Sequence, residues 1–163
     1  MTTTSTDTPT GDTATAAGTG ARSAAPEFHV TPGYGDHLLA TLRYSQAVRI
    51  GDRVEISGQG GWDDDWTFPE SLEDEIVRAF DNVERTLAQA GAGWPDVVAV
   101  NSYHLPSAPD TIGADHNRVM VAQFRARMGE RAPIWTQTGV PALGAPGMRI
   151  EIRVTAVVGH RDA

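Results

Sequence analysis

The acidic side chain best placed for chemistry is Glu151. Apolar residues alternate from Met148 to Val158 and predict a strand with one buried face. Glu151 falls on the opposite, polar face, between Arg149 and Arg153. Periodicity alone favours a cross-strand charge pair there over a catalytic base, so a functional role for Glu151 needs a further argument.

Metal chemistry finds little support in the sequence. The five histidines, at positions 29, 37, 104, 116 and 160, show no His-x-x-x-His pair or other metal-ligand spacing, and cysteine is absent. The run Asp63-Asp64-Asp65 lacks the glycine and the distal glutamate of an EF-hand. We interpret it as a solvated turn and expect no metal.

Several enzyme classes are excluded by residue type. All 13 basic residues are arginine, so no Schiff-base or P-loop lysine exists, and we expect no organic cofactor. Nothing pairs Ser45, Ser57 or Ser102 with a histidine base, which disfavours a serine hydrolase. The segment Gly58-Gln59-Gly60-Gly61 is not a dinucleotide fingerprint, but it allows close backbone approach to a ligand or a neighbouring chain.

Length and charge set further bounds. The 163 residues with 40% hydrophobic content fit one domain, and the net charge of −8 opposes binding to nucleic acid. No apolar run is long enough to span a membrane and no signal peptide is evident, so cytoplasm is the default. Residues 1–26 are rich in Thr, Ala and Gly; we expect a disordered tail followed by one domain over 27–163.

Local signals predict the order β-β-α-β-α-β-β. Gly51-Asp52 joins two short strands as a hairpin, and Ser71 opens a helix that Gly91 ends. The remaining elements are strands over 96–104 and 131–140, a helix around 119–128, and the final strand from Met148. This order predicts an α/β (α+β) fold: one mixed sheet with both helices on one face.

Four tryptophans are many for the loops of one small domain. Trp62, Trp66, Trp94 and Trp135 therefore predict burial in an interface between subunits of a homo-oligomer.

Five short segments together resemble the RidA (YjgF, L-PSP) family. They occur in the family's order across about residues 44–158 and are Tyr44-Ser45-Gln46-Ala47-Val48, Ser57-Gly58-Gln59, Phe80-Asp81-Asn82-Val83, Ala90-Gly91 and Ile150-Glu151-Ile152. The resemblance implies a chorismate-mutase-like fold assembled as a homotrimer, with small-molecule sites in the clefts between subunits. Members of the family deaminate enamines and imines.

The resemblance also implies roles for individual residues. Glu151 corresponds to the carboxylate that orients a hydrolytic water, and Tyr44 to the pocket tyrosine. Asn117 corresponds to the polar residue of the second helix, and Gly58 contributes its backbone groups to the site. A carboxylate with backbone groups in a dry pocket suffices for this chemistry without a cofactor.

The sequence departs from the family where the deaminases carry Pro-x-Arg-Ser. This chain reads Pro133-Ile134-Trp135-Thr136, so Trp135 replaces the arginine that grips the substrate carboxylate. An indole cannot form that bidentate pair, and Trp135 is either a stacking surface for a planar substrate or simple interface packing. Gln137 and Gln59 are expected to add amide groups to the pocket.

Three functions follow from these observations. The leading hypothesis is a cofactor-independent hydrolase of an enamine, an imine or a related carbon–nitrogen compound, other than a standard amino-acid-derived imine. The alternative is a non-catalytic trimer that binds a small molecule. Ribonuclease activity, attributed to some relatives, is disfavoured by the acidic charge.

Overall fold

The computed structural model describes residues 1, 24–109 and 111–159. Most of the expected disordered tail, residues 2–23, lies outside the described residues. The elements in chain order are β1 (Glu27–His29), α1 (Tyr34–Leu42), β2 (Ala47–Ile50), β3 (Arg53–Ile56), α2 (Leu72–Gln89), a short 3-10 turn (Trp94–Asp96), β4 (Val97–His104), α3 (Ala114–Met128), β5 (Ile134–Gly139) and β6 (Ile150–Val157).

The predicted order is confirmed from β2 to β6, with each element within a few residues of its expected bounds. Strand β1 and helix α1 were not predicted. Strand β1 has only three residues, and α1 follows Gly33, whose backbone has φ 90° and whose missing side chain supplies no cap. Neither element has the capping residue or the hydrophobic periodicity from which a helix or a strand is predicted.

All six strands form one mixed sheet in the order β1-β2-β3-β6-β4-β5. The pairings are antiparallel except for β4 and β5, which run parallel because α3 connects them as a crossover. This topology places β6, the strand of Glu151, in the middle of the sheet and leaves β5 at an edge.

Helices α2 and α3 pack side by side on one face of the sheet, as predicted. Helix α2 begins at Ser71, whose hydroxyl accepts a hydrogen bond from the backbone N–H of Asp74 at 3.0 Å. Its apolar stripe, including Phe80 and Leu87, packs on the even-numbered side chains of β6, such as Ile152. The odd-numbered side chains of β6 point to the other face, which no helix of this core covers; we call it the open face.

Two of the four tryptophans, Trp62 and Trp94, do not support the argument made from them. Trp94 and Trp62 are 2% and 4% exposed within the single chain, where Trp94 stacks on Phe80 and Trp62 packs against Tyr34. Since the chain buries these rings in its own core, they do not call for an interface between subunits.

No helix among residues 24–109 and 111–159 is both long enough and apolar enough to cross a bilayer.

Candidate functional site

The site is centred on Glu151, which projects from β6 onto the open face of the sheet. Its cross-strand partner in the antiparallel pair is Tyr103 of β4. On the other side it meets Gly58, where the backbone after β3 bridges to β6. A Cβ atom at position 58 would overlap with the Glu151 carboxylate, so only glycine permits this approach.

The carboxylate of Glu151 is partly buried and accepts no hydrogen bond from any described residue. Burial raises its pKa above the ordinary value, because desolvation disfavours the charged form. An unpaired carboxylate of raised pKa is suited to accept a proton from water or to orient a water molecule.

A cavity of about 400 Å³ opens directly beside Glu151. Its lining combines Gly58, Tyr103 and Arg153 with the loop that follows β5, residues 140 and 142–144. The volume lies at the lower end of the range for small-molecule sites. We call it the Glu151 cavity.

Tyr44 lies close to this cavity, in the lining of a neighbouring one that also contains Ser57 and Arg153. Burial raises the pKa of Tyr44, and the negative charge of Glu151 raises it further. The phenol therefore stays protonated and can donate a hydrogen bond. The structure places Tyr44, Gly58 and Glu151 around these two neighbouring cavities, and their roles stay predictions.

Arg153 is the cation of the open face nearest Glu151 in sequence. It lies two residues further along β6 on the same face and lines both cavities. Its guanidinium is half-exposed and reaches Glu55 at 3.5 Å. That carboxylate is held more closely by Arg53 at 2.5 Å and by the Thr155 hydroxyl at 2.8 Å. The link from Arg153 to Glu55 is thus weak, and sequence reasoning gave Arg153 no role at the site.

Gln59 supports the site from within the core. Its side chain is fully buried; its carbonyl accepts from the Tyr34 hydroxyl at 2.8 Å and its amide donates to the Ser57 carbonyl at 3.1 Å. Because both ends of the amide are occupied, Gln59 fixes the backbone next to Gly58 and does not face the Glu151 cavity. Tyr34, which sequence reasoning missed, is fully buried as well.

Trp135 and Gln137 lie on the opposite face of the sheet from Glu151. In the parallel pair of β4 and β5 they stand beside Val100 and Ser102, which face the helices. The Trp135 indole meets Phe124 of α3 edge-to-face, with ring centres 5.2 Å apart. Within one chain, therefore, neither residue reaches the Glu151 cavity.

Asn117 is likewise separate from Glu151 in a single chain. It is exposed on α3, the helix that covers the other face of the sheet. The roles predicted for Asn117, Trp135 and Gln137 at the Glu151 site thus require a second subunit and stay predictions.

A buried polar network links Trp135 to two histidines. The indole N–H donates to the Ser102 hydroxyl at 2.8 Å, and that hydroxyl forms a second hydrogen bond with His104 Nε2, also at 2.8 Å. His104 Nδ1 in turn shares a hydrogen bond of 2.9 Å with His116 Nδ1, in which one of the two rings is the donor. Burial, together with the neighbouring His116, lowers the pKa of His104 to about 4.

The contact of Ser102 with His104 is a serine–histidine pairing that the sequence did not reveal. Both residues are fully buried, and the described cavities do not include Ser102. A substrate cannot reach the hydroxyl, so the pair is a structural element of the core. Among residues 24–109 and 111–159, no group of three or more His, Asp or Glu side chains is arranged to hold a metal ion.

The sheet with helices on one face and a carboxylate on the other defines an α+β protein of the chorismate-mutase-like class. Comparison with known proteins then fixes the family. The sequence profile of the family described as "Endoribonuclease L-PSP" matches residues 35–158. The chain therefore belongs to the RidA/YjgF/L-PSP family, and the resemblance inferred from short segments is confirmed.

Relatives with known sequences and structures agree with this assignment. The RutC family protein YjgH of Escherichia coli K12 is 35% identical over 127 residues, covering 78% of this chain and 92% of that protein. The crystal structure of Rv2704 from Mycobacterium tuberculosis, a member of the YjgF/YER057c/UK114 family, is 26% identical, with a TM-score of 0.66 over 82% of this chain and all of that one. RidA from the Antarctic bacterium Psychrobacter sp. PAMC 21119 is 28% identical, with a TM-score of 0.61 over 71% and 88% of the two chains.

Proposed function

We propose that this protein is a cofactor-independent hydrolase of small enamines or imines, with Glu151 as the group that orients and deprotonates the attacking water. The observation that carries the proposal is the Glu151 carboxylate: unpaired, partly buried, of raised pKa and open to a cavity. Membership of the RidA/YjgF/L-PSP family supports the same chemistry.

The proposed reaction adds water across a C=N bond. Glu151 takes a proton as the water oxygen bonds to the imine carbon and passes it to nitrogen, which gives a neutral carbinolamine. The hydroxyl proton of the carbinolamine then passes through Glu151 to nitrogen, and the carbinolamine collapses. The C–N bond breaks, the carbonyl forms and ammonia leaves, so that an imine and water give a ketone or aldehyde and ammonia. An enamine enters the same path after it tautomerises to the imine. Tyr44 is placed to donate a hydrogen bond to the substrate.

The charges near the cavity indicate what kind of substrate fits. The deaminases of the family use an arginine where this chain has Trp135, and Trp135 does not reach the Glu151 cavity within one chain. Arg153 lines that cavity and is bound only loosely to Glu55. We therefore expect a substrate with a negatively charged group, anchored by Arg153. That Trp135 disfavours standard amino-acid-derived imines stays a prediction, because it requires a second subunit.

The homotrimer implied by the resemblance belongs to the same proposal. A second subunit that covers the open face would close the Glu151 cavity from solvent, as a hydrolysis that depends on a single ordered water needs. Sedimentation equilibrium at micromolar concentration is expected to give three times the mass of the 17.4 kDa chain. A monomer at that concentration would contradict this part of the proposal.

The deciding experiment measures ammonia release from imines generated in place by an amino acid oxidase. The purified protein is expected to accelerate release from a panel of acidic and neutral amino acids, and Glu151→Gln is expected to abolish the acceleration. Glu73→Gln, an exposed glutamate of α2 paired with Arg118, serves as the matched control and should retain full activity.

Each outcome has a distinct meaning. Loss of activity in Glu151→Gln with the control intact supports the mechanism. Saturable binding of an imino acid analogue without any turnover would contradict the hydrolase proposal and favour the alternative, a non-catalytic protein that binds a small molecule. Cleavage of RNA at the Glu151 site would favour the activity named in the family description, against which the net charge of −8 argues.

A further inference from the structure

A second cavity lies on the helix side of the sheet, between the last turns of α3 and the start of β5. Its volume is about 480 Å³, and we call it the α3–β5 cavity. Val121, Phe124 and Trp135 contribute apolar surface, and the charged lining residues are Arg125, Glu130 and Arg131. The guanidinium of Arg131 is engaged by backbone carbonyls, including that of Val97 at 2.8 Å. It shares no lining residue with the Glu151 cavity and opens on the other face of the sheet.

Two aromatic rings in this cavity are held in fixed positions. Phe124 and Trp135 meet edge-to-face at 73° with centres 5.2 Å apart, and both remain partly exposed. The Trp135 indole N–H is tied to the Ser102 hydroxyl at 2.8 Å, so the ring cannot rotate away without losing that hydrogen bond. Two fixed, perpendicular rings form a surface on which a planar aromatic molecule stacks with little loss of protein entropy.

Arg125 supplies a positive charge that no described residue neutralises. Its side chain is exposed, and the guanidinium makes no hydrogen bond or ion pair with the described residues, although the backbone carbonyl accepts from the N–H of Gly129. The other arginine in the last turn of α3, Arg127, is held at 2.5 Å by both Asp81 and Glu84. The contrast leaves Arg125 available for a planar anion, for which a guanidinium is the best protein partner.

We propose that the α3–β5 cavity binds a planar aromatic carboxylate: the ring lies against Phe124 and Trp135, and the carboxylate pairs with Arg125. Glu130, at the rim of the same cavity, repels a second negative charge and so favours a ligand with one carboxylate. This site goes beyond the hydrolase proposal and does not depend on it, because Glu151 takes no part in it.

Isothermal titration calorimetry of the full chain with 2-naphthoate tests the proposal, with the uncharged isostere 2-naphthamide for comparison. Saturable binding of 2-naphthoate is expected, with the amide about tenfold weaker because it lacks the charge-assisted hydrogen bonds. Arg125→Ala should weaken 2-naphthoate binding about tenfold, and Glu130→Gln should strengthen it a few-fold. Arg118→Ala, on the same helix but paired with Glu73, is the matched control and should leave affinity unchanged.

The outcomes separate this site from the Glu151 cavity. Glu151→Gln is expected to bind 2-naphthoate as the wild type does, while Arg125→Ala keeps its ammonia-releasing activity. Absence of saturable binding up to millimolar 2-naphthoate would overturn the proposal, as would unchanged affinity in Arg125→Ala. Loss of binding in Glu151→Gln would also overturn it, because the ligand would then occupy the Glu151 cavity.

Discussion

The carboxylate of Glu151 lies directly against Gly58, so closely that a Cβ atom at position 58 would overlap with its oxygen. Gly58→Ala is expected to push the carboxylate out of place and to lower turnover about 100-fold, the usual effect of a displacement of about 1 Å at a reacting group. Stability should fall by about 1–3 kcal/mol through overpacking. Steady-state kinetics and thermal unfolding measure the two effects.

Gly144 provides the control for that substitution. It lines the same cavity, but a Cβ there meets nothing within 4 Å. Gly144→Ala should keep both activity and stability. Equal losses in the two variants would show that the contact between Gly58 and Glu151 has no special role.

The raised pKa of Glu151 predicts opposite effects of pH on turnover and stability. Turnover needs the ionised carboxylate, so it should rise with pH through a midpoint above 4.5, the ordinary pKa of the group. The folded state holds this proton more tightly than the unfolded state. Its contribution to stability is therefore full below pH 4.5 and is lost as pH rises through the folded pKa.

Glu151→Gln removes that pH-dependent loss. The variant should melt at a higher temperature than the wild type at pH 7, and the two melting temperatures should converge near pH 4. Differential scanning calorimetry from pH 4 to 8 measures this. A Glu151→Gln variant less stable than the wild type at pH 7 would argue against an unpaired, buried carboxylate.

The neutral histidine pair in the core predicts sensitivity to acid. The pKa of His104 is about 4 in the folded protein, against an ordinary value of 6.5 that applies to the unfolded chain. Between these two pH values the unfolded state therefore binds one proton more than the folded state. Stability should decline as pH falls from 6.5 towards 4, by roughly 3 kcal/mol at most from this residue. The pKa of His116, lowered by burial, acts in the same direction.

Urea unfolding from pH 4 to 8 checks this decline. His104→Gln should flatten the dependence on pH, whereas His37→Gln, an exposed histidine of α1, should leave it unchanged. A profile that keeps its slope in His104→Gln would place the titrating group elsewhere.

Local signals explain how much of this fold the sequence could predict. The β2–β3 hairpin and α2 depend on neighbouring residues, such as the turn at Gly51 and the cap at Ser71, and both were found as predicted. The face on which a side chain of β5 lies depends instead on its register with β4, and β4 itself has an irregularity between Val97 and Ala99. Sequence alone could not reveal that Trp135 and Glu151 lie on opposite faces.

The same distinction applies to the site. The residues Tyr44, Gly58 and Glu151 were predicted through family-like segments, while Tyr103 and Arg153, which line the cavity, were not. These two line the cavity only because β4 and β6 pair in one register, and their types carry no chemical signal in sequence. The contact between Ser102 and His104 was missed because both side chains face the core from β4, whose alternating sequence pattern predicts a strand but no hydrogen bond between them.

Trp135→Phe tests whether the indole acts in catalysis or in packing. The substitution removes the hydrogen bond to Ser102 and should cost about 1 kcal/mol of stability. Within one chain Trp135 faces away from Glu151, so turnover should change less than twofold. A large loss of turnover in a folded variant would instead show that Trp135 reaches the Glu151 site of a neighbouring subunit.

Arg153→Met tests the charge of the proposed substrate. Methionine keeps much of the apolar stem but removes the guanidinium that lines the Glu151 cavity. KM for imines that carry a carboxylate should rise about tenfold, since a charge-assisted hydrogen bond contributes about 1.5 kcal/mol, while kcat changes little. Uncharged imines should be hydrolysed as before.

Because Arg53 and Thr155 still hold Glu55, the open face of the Arg153→Met variant should keep its structure, and an unchanged melting temperature would verify this. If KM is the same for charged and uncharged substrates in both proteins, the anionic group is not bound by Arg153, and the arginine serves only to pair with Glu55.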